Sequence, residues 1–304
     1  MPKIYIIGGA NIDIYANSES LVLKDSNPSD ITYSHGGVCR NICENLANLN
    51  IGSSFISAFG NDAFGKDLSN ELIHKGVDLS LSLFLDDKKT STYIAFLKEN
   101  DLYLGASDMS ILEALDTNYL SKLKDIIQND DYVIFDTNLK EETIDYIINN
   151  IKGYKIVDAI SANKVVKLKN NFRKIDLLKL NLLEAEYLAN EKLDNDEKII
   201  SFLKGNVSNN TIIISKASDL FVGNSNVEHY RHYSYNANAL NTTGAGDALV
   251  AGYVYGIINK YSDDEKARFA LAMAILNVNS KDAVNKGSIN DIKELIKDLR
   301  IEKV

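Results

Sequence analysis

The sequence predicts an α/β fold: a central, mostly parallel sheet with helices on both faces, plus a small β-sheet lid. Two observations carry this expectation. Short, nearly continuous apolar runs alternate with segments whose apolar residues recur at helical spacing. Strands buried on both faces, and the amphipathic helices that cover them, produce that alternation. Two stretches, residues 11–35 and 80–106, interrupt it and contain no good helix.

Taken in order, the apolar runs place strands at Ile4–Ile7, Ser53–Ala58, Tyr132–Phe135, Lys155–Val157, Leu177–Leu180 and Thr211–Ile214. Helical periodicity marks Val38–Leu49, Gly65–Lys75, Glu141–Asn150, Leu183–Asn190 and Ala248–Ile258. The two interruptions show short polar-apolar strand patterns, Ile31-Thr32-Tyr33-Ser34 and Thr92-Tyr93-Ile94-Ala95-Phe96. They read as a small separate sheet hinged on the body, a natural lid over a cleft. The division is then residues 1–10, 36–79 and 107–304 for the large α/β domain, with 11–35 and 80–106 for the lid.

The chain has 304 residues, 45% hydrophobic and 25% charged, with net charge −9. That length suits one large domain, or a large one with an appendage, and needs no disulfide or metal to fold. No run approaches the ~20 apolar residues of a membrane helix, so no membrane partner is expected. A negative chain without a basic block is a poor general nucleic-acid binder. The first residues lack a signal-peptide pattern and read as a buried strand. Cysteine usage points to the cytoplasm: Cys39 and Cys43 lie four apart on a helix, poorly oriented for a disulfide. With His35 they could approach a metal, but Gly36 and Gly37 interrupt the spacing and no fourth ligand is near. Reduced thiols packed in the core are the default.

The most informative run is Asn241-Thr242-Thr243-Gly244-Ala245-Gly246-Asp247-Ala248, ahead of an apolar helix. Gly244-Ala245-Gly246 lets the backbone curl so that successive N–H groups face one point, at the positive end of that helix. Asp247 places a carboxylate beside this anion nest. A base beside an anion hole suits phosphoryl transfer to a hydroxyl. The alternative is an ordinary helix cap behind a glycine-rich turn.

Here the chain resembles the ribokinase-like, PfkB-type sugar and nucleoside kinases. Residues 241–247 match their late signature Asp-Thr-x-Gly-Ala-Gly-Asp, except for Asn241 in place of Asp. Gly36-Gly37-Val38-Cys39-Arg40-Asn41 matches the early signature, and Asn181-Leu182-Leu183-Glu184 the intervening Asn-x-x-Glu. All three fall in family order and spacing, so the resemblance covers essentially the whole chain. It implies ATP as donor, Mg²⁺ as cofactor and a nucleoside or sugar as acceptor; it leaves open a monovalent cation and a homodimer through the lid.

Residue by residue, the resemblance implies Asp247 as general base, with the amides of Gly244, Ala245 and Gly246 holding the transferring phosphoryl group. Asn181 and Glu184 would position Mg²⁺ and the ATP phosphates through water; a helix-start polar pair is the other reading. Asn11, Asp13, Gly36, Gly37 and Asn41 would meet the sugar, with turn chemistry as the alternative for Asn11 and Asp13. Ser215, Thr243, Ala274 and Asn277 would border the nucleotide.

Within the family, several segments are similar to the kinases of pseudouridine: Ser26-Asn27-Pro28, the form of residues 36–41, Ser107–Ile111, Val157–Lys164, and Asn at 241. That similarity implies phosphorylation of the ribose 5′-hydroxyl, with Thr90, Thr92, Asp108 and Met109 of the lid facing sugar or base, or simply packing there. Arg40 and Lys164 would assist a phosphate or lie on helix surfaces. The other readings are a different sugar or nucleoside kinase, such as a ribokinase-like or fructokinase-like enzyme, and a non-catalytic nucleoside sensor. A dinucleotide-binding reading fails, since Gly8-Gly9 is not followed by Gly-x-Gly-x-x-Gly spacing. One departure stands out. The family's Ser/Thr-x-Gly-x-x-Gly turn is here Ser215-Lys216-Ala217-Ser218-Asp219-Leu220, without either glycine. Strain or crowding at the triphosphate is expected, with Lys216 as a compensating charge.

Overall fold

The computed structural model describes residues 2–99, 101–233, 243–280 and 282–304. The chain enters the middle of the molecule at once, because Ile4–Ile7 (β1) is apolar on both faces and fully buried. β2 (Asn11–Ser18) leaves the body and pairs antiparallel with β3 (Asp30–Gly36), which returns to it. α1 (Val38–Asn48) then buries Cys39, Ile42, Cys43 and Leu46, an i, i+3, i+4, i+7 stripe. β4 (Ser54–Ile56) pairs parallel with β1. The single strand expected over 53–58 breaks at Ser57, whose N–H turns aside to Ser82 Oγ at 3.1 Å. The chain resumes as β5 (Ala58–Gly60) on a different path.

α2 (Ala63–His74) starts where Asp62 accepts the Gly65 N–H at 2.8 Å. β6 (Leu83–Leu85) pairs with β5, so this part of the second excursion lies against the body. β7 (Thr92–Lys98) and β8 (Asp101–Asp108) complete a four-stranded lid sheet of order β3-β2-β7-β8. The chain continues through α3 (Thr117–Ser121), β9 (Tyr132–Asp136), α4 (Glu141–Asn150), β10 (Tyr154–Asp158) and α5 (Ala162–Val165). Next come β11 (Leu177–Asn181), α6 (Leu182–Ala189), α7 (Asp196–Asn206), β12 (Thr211–Lys216), β13 (Asp219–Gly223) and β14 (Val227–His232). α8 (Ala245–Ile258), α9 (Asp263–Val278), α10 (Ile289–Asp298) and β15 (Ile301–Lys303) end it.

The central sheet runs β15-β14-β13-β12-β11-β10-β9-β1-β4. From β4 to β12 every neighbour is parallel, and β13 to β15 add an antiparallel edge. Alternate side chains of β1 supply the two cores: Ile4 and Ile6 pack with α1, α8 and α9, while Tyr5 and Ile7 pack with α4 and the helices beside it. Parallel order sends the C-terminal ends of β1, β9, β10 and β11 to one edge of the sheet, where an open α/β fold binds ligands. Among the described residues no helix is long and apolar enough to cross a membrane.

Candidate active site

The residues expected to meet the acceptor gather where β2 and β3 meet the body. Asn11 and Asp13 are buried on β2, and Asn11 Nδ2 donates to Asp13 Oδ1 at 2.6 Å. Burial raises the Asp13 carboxyl, opposed by Asn11 and the Arg40 charge. Gly36 is what lets Asp13 sit there, since a Cβ on it would lie 2.3 Å from Asp13 Oδ2. Gly37, at φ +104, likewise admits the Gly9 carbonyl and starts α1. Asn41 is buried on α1 and points its Nδ2 at Asp247 Oδ2, 2.7 Å away.

The lid residues divide. Thr92 is half-buried on β7, its hydroxyl donating to the Thr90 carbonyl at 3.2 Å. Asp108 is exposed at the end of β8, where bonds from Ser110 lower its carboxyl. Thr90 is committed elsewhere: its hydroxyl and N–H both bond the Asp62 carboxylate that caps α2.

The residues expected to form an anion nest and a base lie at the start of α8. Gly244 is the N-cap residue in the left-handed region, at φ +82, and a Cβ there would strike the Ala283 carbonyl at 2.0 Å. The first N–H groups of the helix, from Ala245 onward, have no intrahelical acceptor and present a positive end. Asp247 is the third residue of the helix, and the N-cap position that the sequence also allowed it is taken by Gly244. Its carboxylate is buried and bonded to Asn41.

Burial raises the Asp247 carboxyl to about 7, aided by the negative charges of Asp158 and Asp136 and opposed by Asn41 and Lys179. Lys179, buried on β11, is 3.2 Å from Asp158 Oδ2. Its ammonium is held charged chiefly by Asp158, against the cost of burial. A Cβ on Gly246 would lie 2.7 Å from Lys179 Nζ, so the lysine sits directly under the nest.

A cavity of about 320 Å³, beside the residues expected to border the nucleotide, is lined by Ser215, Ala217, Ser218, Asp219, His232, Ala245, Gly246 and Leu249, and by Leu271, Ala274, Ile275 and Val278 of α9. It is mostly apolar with the nest at one end, as a nucleotide needs. Thr243 adjoins the nest and its carbonyl accepts from Asn277 Nδ2 at 3.0 Å. Asn277 is fully buried and also receives the Asn285 N–H at 3.1 Å, so its side chain ties two loops rather than lining the cavity. Asn241 and Thr242 lie outside the described residues.

Asn181 and Glu184 form a reciprocal capping box on α6: the Asn181 N–H and Nδ2 donate to Glu184 at 2.7 and 2.6 Å, and the Glu184 N–H returns to Asn181 Oδ1 at 2.9 Å. The helix-start reading is thus realised. Glu184 is fully buried, and burial raises its carboxyl to about 7. Asp136, Asp158, Glu184 and Asp247 are four buried carboxylates at one sheet edge, with Lys179 the buried cation among them. No three of the described His, Cys, Asp and Glu residues stand close enough to ligate a metal together, so a Mg²⁺ here would be held chiefly through its waters, by Asn181 and Glu184.

The sequence reading gave no site role to Asp136, Asp158 or Lys179, although Asp158 lies in the matched segment Val157–Lys164. A lysine inside the apolar run Leu177–Leu180, and aspartates ending β9 and β10, were the available signals. Arg40 is no surface residue: it is buried and bonded to Glu44 Oε2 at 2.6 Å. Lys164 Nζ donates to Asn138 Oδ1 at 2.5 Å, near the Asp136 carboxylate. Cys39 and Cys43 are free, buried thiols raised by burial, and no metal-holding group of His, Cys, Asp and Glu exists among the described residues.

Comparison with known proteins agrees with this geometry. A family described as pfkB family carbohydrate kinase matches residues 1–289. The Escherichia coli K12 protein named Pseudouridine kinase is 32% identical over 273 residues, covering 88% of this chain and 87% of its own. A solved carbohydrate kinase from Agrobacterium tumefaciens superposes with TM-score 0.83 at 25% identity, covering all of both chains. Ribokinase from Thermotoga maritima shares the fold, with TM-score 0.80 at 18% identity, covering 98% of this chain and 100% of that one. The chain belongs to the pfkB family of carbohydrate kinases, and its reaction is ATP-dependent phosphoryl transfer to a sugar or nucleoside.

Proposed function

We propose that the acceptor is pseudouridine, phosphorylated on its ribose 5′-hydroxyl, with Asp247 as general base. The observation that carries the chemistry is Asp247 itself, a buried carboxylate in the first turn of α8 that accepts a hydrogen bond from Asn41. The choice of acceptor is supported by the 32% identity to the E. coli kinase of that name across most of both chains.

In this reading Asn11, Asp13 and Asn41 hold the ribose, with Thr92 and Asp108 reaching it when the lid closes. Asp247 takes the hydroxyl proton as the oxygen bonds to the γ-phosphorus, and the bond to the ADP oxygen breaks. The nest from Gly244 to Gly246, with Lys179 beneath it, stabilises charge on the transferring group. Asn181 and Glu184, with Asp158 nearby, would hold Mg²⁺ through water; when bound it neutralises phosphate charge. Because the base works only when ionised, kcat/KM should rise as pH rises through about 7. The lid's exposed apolar face supports pairing of two copies through the lid.

The breadth of the family keeps a second reading, a ribose, fructose or other nucleoside kinase with the same base. The test is ATP/Mg²⁺ turnover on pseudouridine, uridine, adenosine, ribose and fructose. Pseudouridine should exceed the others in kcat/KM by at least about 10-fold, the discrimination a few buried hydrogen bonds give. Preference for a free sugar would discard the acceptor and keep the base. Nucleoside binding without turnover of any acceptor would make the protein a sensor.

A further inference from the structure

We propose that Arg40 is a positioning residue for the reaction, a clamp that fixes the Asn41 amide in the one orientation that gives an N–H to Asp247. The inference rests on Asp247 being the base. Its geometry is continuous. Arg40 NH1 donates to Asn41 Oδ1 at 2.5 Å and to the His35 carbonyl at 3.1 Å. Arg40 NH2 reaches Glu44 Oε2 at 2.6 Å and Glu71 Oε2 at 3.7 Å. Asn41 Nδ2 then donates to Asp247 Oδ2 at 2.7 Å.

An amide can rotate by half a turn and exchange its donor and acceptor ends. A guanidinium carries donors only, so the atom of Asn41 facing Arg40 must be the oxygen. The amino end is thereby left for the base. Were the amide reversed, its oxygen would face a carboxylate, which repels it. Arg40 therefore decides the sign of what Asn41 does to Asp247.

The clamp is anchored on three elements. Glu44 of α1 is buried and is also held by Lys75 of α2 at 2.9 Å. Glu71 of α2 bonds the His35 ring, whose other nitrogen meets Asp67 at 2.9 Å. His35 is the penultimate residue of β3, so the guanidinium grips the place where the lid strand returns to the body. Asp13 feels the same charge, and Asp282 and Lys286 line the cavity beside it. Asp247 in turn faces Asn41 and the Cys39 thiol from α1, Asp136 from β9, Asp158 from β10 and Lys179 from β11. Of these, Asn41 and Lys179 favour its charged form and the two aspartates oppose it.

The test compares wild type, Arg40→Lys, and the double variant Arg40→Met/Glu44→Met, which removes both buried charges and leaves Lys75 with Asn48 and Glu71 with His35. Arg40→Lys keeps the positive charge but cannot reach Glu44, Asn41 and the His35 carbonyl together. A change there reads amide orientation rather than field. Both should lower kcat/KM for the acceptor roughly 10- to 100-fold and shift the acid limb of its pH profile up by about one unit. That is the range expected for one lost hydrogen bond to a charged group. KM for ATP should change less than about twofold, since Arg40 does not line the donor cavity. An acid limb that stays in place in both variants overturns the proposal, whatever happens to Tm. Asp247→Asn is run alongside; wild-type turnover in it would remove the base, and the clamp with it.

Discussion

Ala217 shows how one residue absorbs a departure from the family pattern. It occupies the first glycine position of the expected turn, and its φ is +49, the left-handed value a glycine adopts freely. The reason is the hairpin: Lys216 pairs with Asp219, leaving two residues to reverse the chain. The second expected glycine is Leu220, which lies buried in β13 and needs no such freedom. Lys216 bonds Asp196 at 3.1 Å rather than offering its charge to a phosphate. The departure costs conformational strain at one position. Ala217→Gly should therefore stabilise the protein by about 1 kcal/mol and raise Tm by roughly 2 °C. A thermal melt checks it; an unchanged or lower Tm would mean that the left-handed turn carries no strain.

At the scale of elements, the lid is the least covered part of the molecule. Register aligns Ile14 with Tyr33 and Ile94, and Ala16 with Ile31 and Phe96, on one face of the sheet. Leu104 continues that face beside Phe96. Ile31, Tyr33, Phe96 and Leu104 are all exposed, a contiguous apolar surface that monomeric proteins seldom leave open. If two copies pair there, sedimentation should give a dimer for the wild type and a monomer for Phe96→Asp/Leu104→Asp. A wild-type monomer across micromolar concentrations would contradict the pairing.

The same scale separates what was legible from what was not. Strands such as β1, β9 and β11, and helices such as α1 and α4, show in the sequence because each is a strong local pattern. β13, β14 and β15 do not: the apolar run of β13 is only Leu220–Val222, β14 mixes polar and apolar residues, and β15 has three residues. The break at Ser57 depends on Ser82, 25 residues away. The lid range 80–106 included β6 for a similar reason: a three-residue strand declares its partner only when the fold is closed.

For the whole molecule, function depends on what the parallel sheet collects at one edge. The late glycine-rich run was readable because its residues adjoin each other. Asn41 and Asp247, 206 residues apart, are joined only by the fold. Lys179 and Asp158 likewise meet because β10 and β11 are parallel neighbours. Sequence motifs supplied the residues of the proposed phosphate nest; long-range charge placement, which sets when the proposed base ionises, is a property of the folded chain.

The measurement that bears most directly on this account is the pH profile of pseudouridine phosphorylation by wild type and Asp247→Asn. The account predicts a wild-type acid limb near pH 7. It predicts that Asp247→Asn lowers kcat by about 10²–10⁴-fold and abolishes that limb, with pseudouridine binding largely kept. Turnover near the wild-type rate in Asp247→Asn, with the limb intact, would show that another group takes the proton.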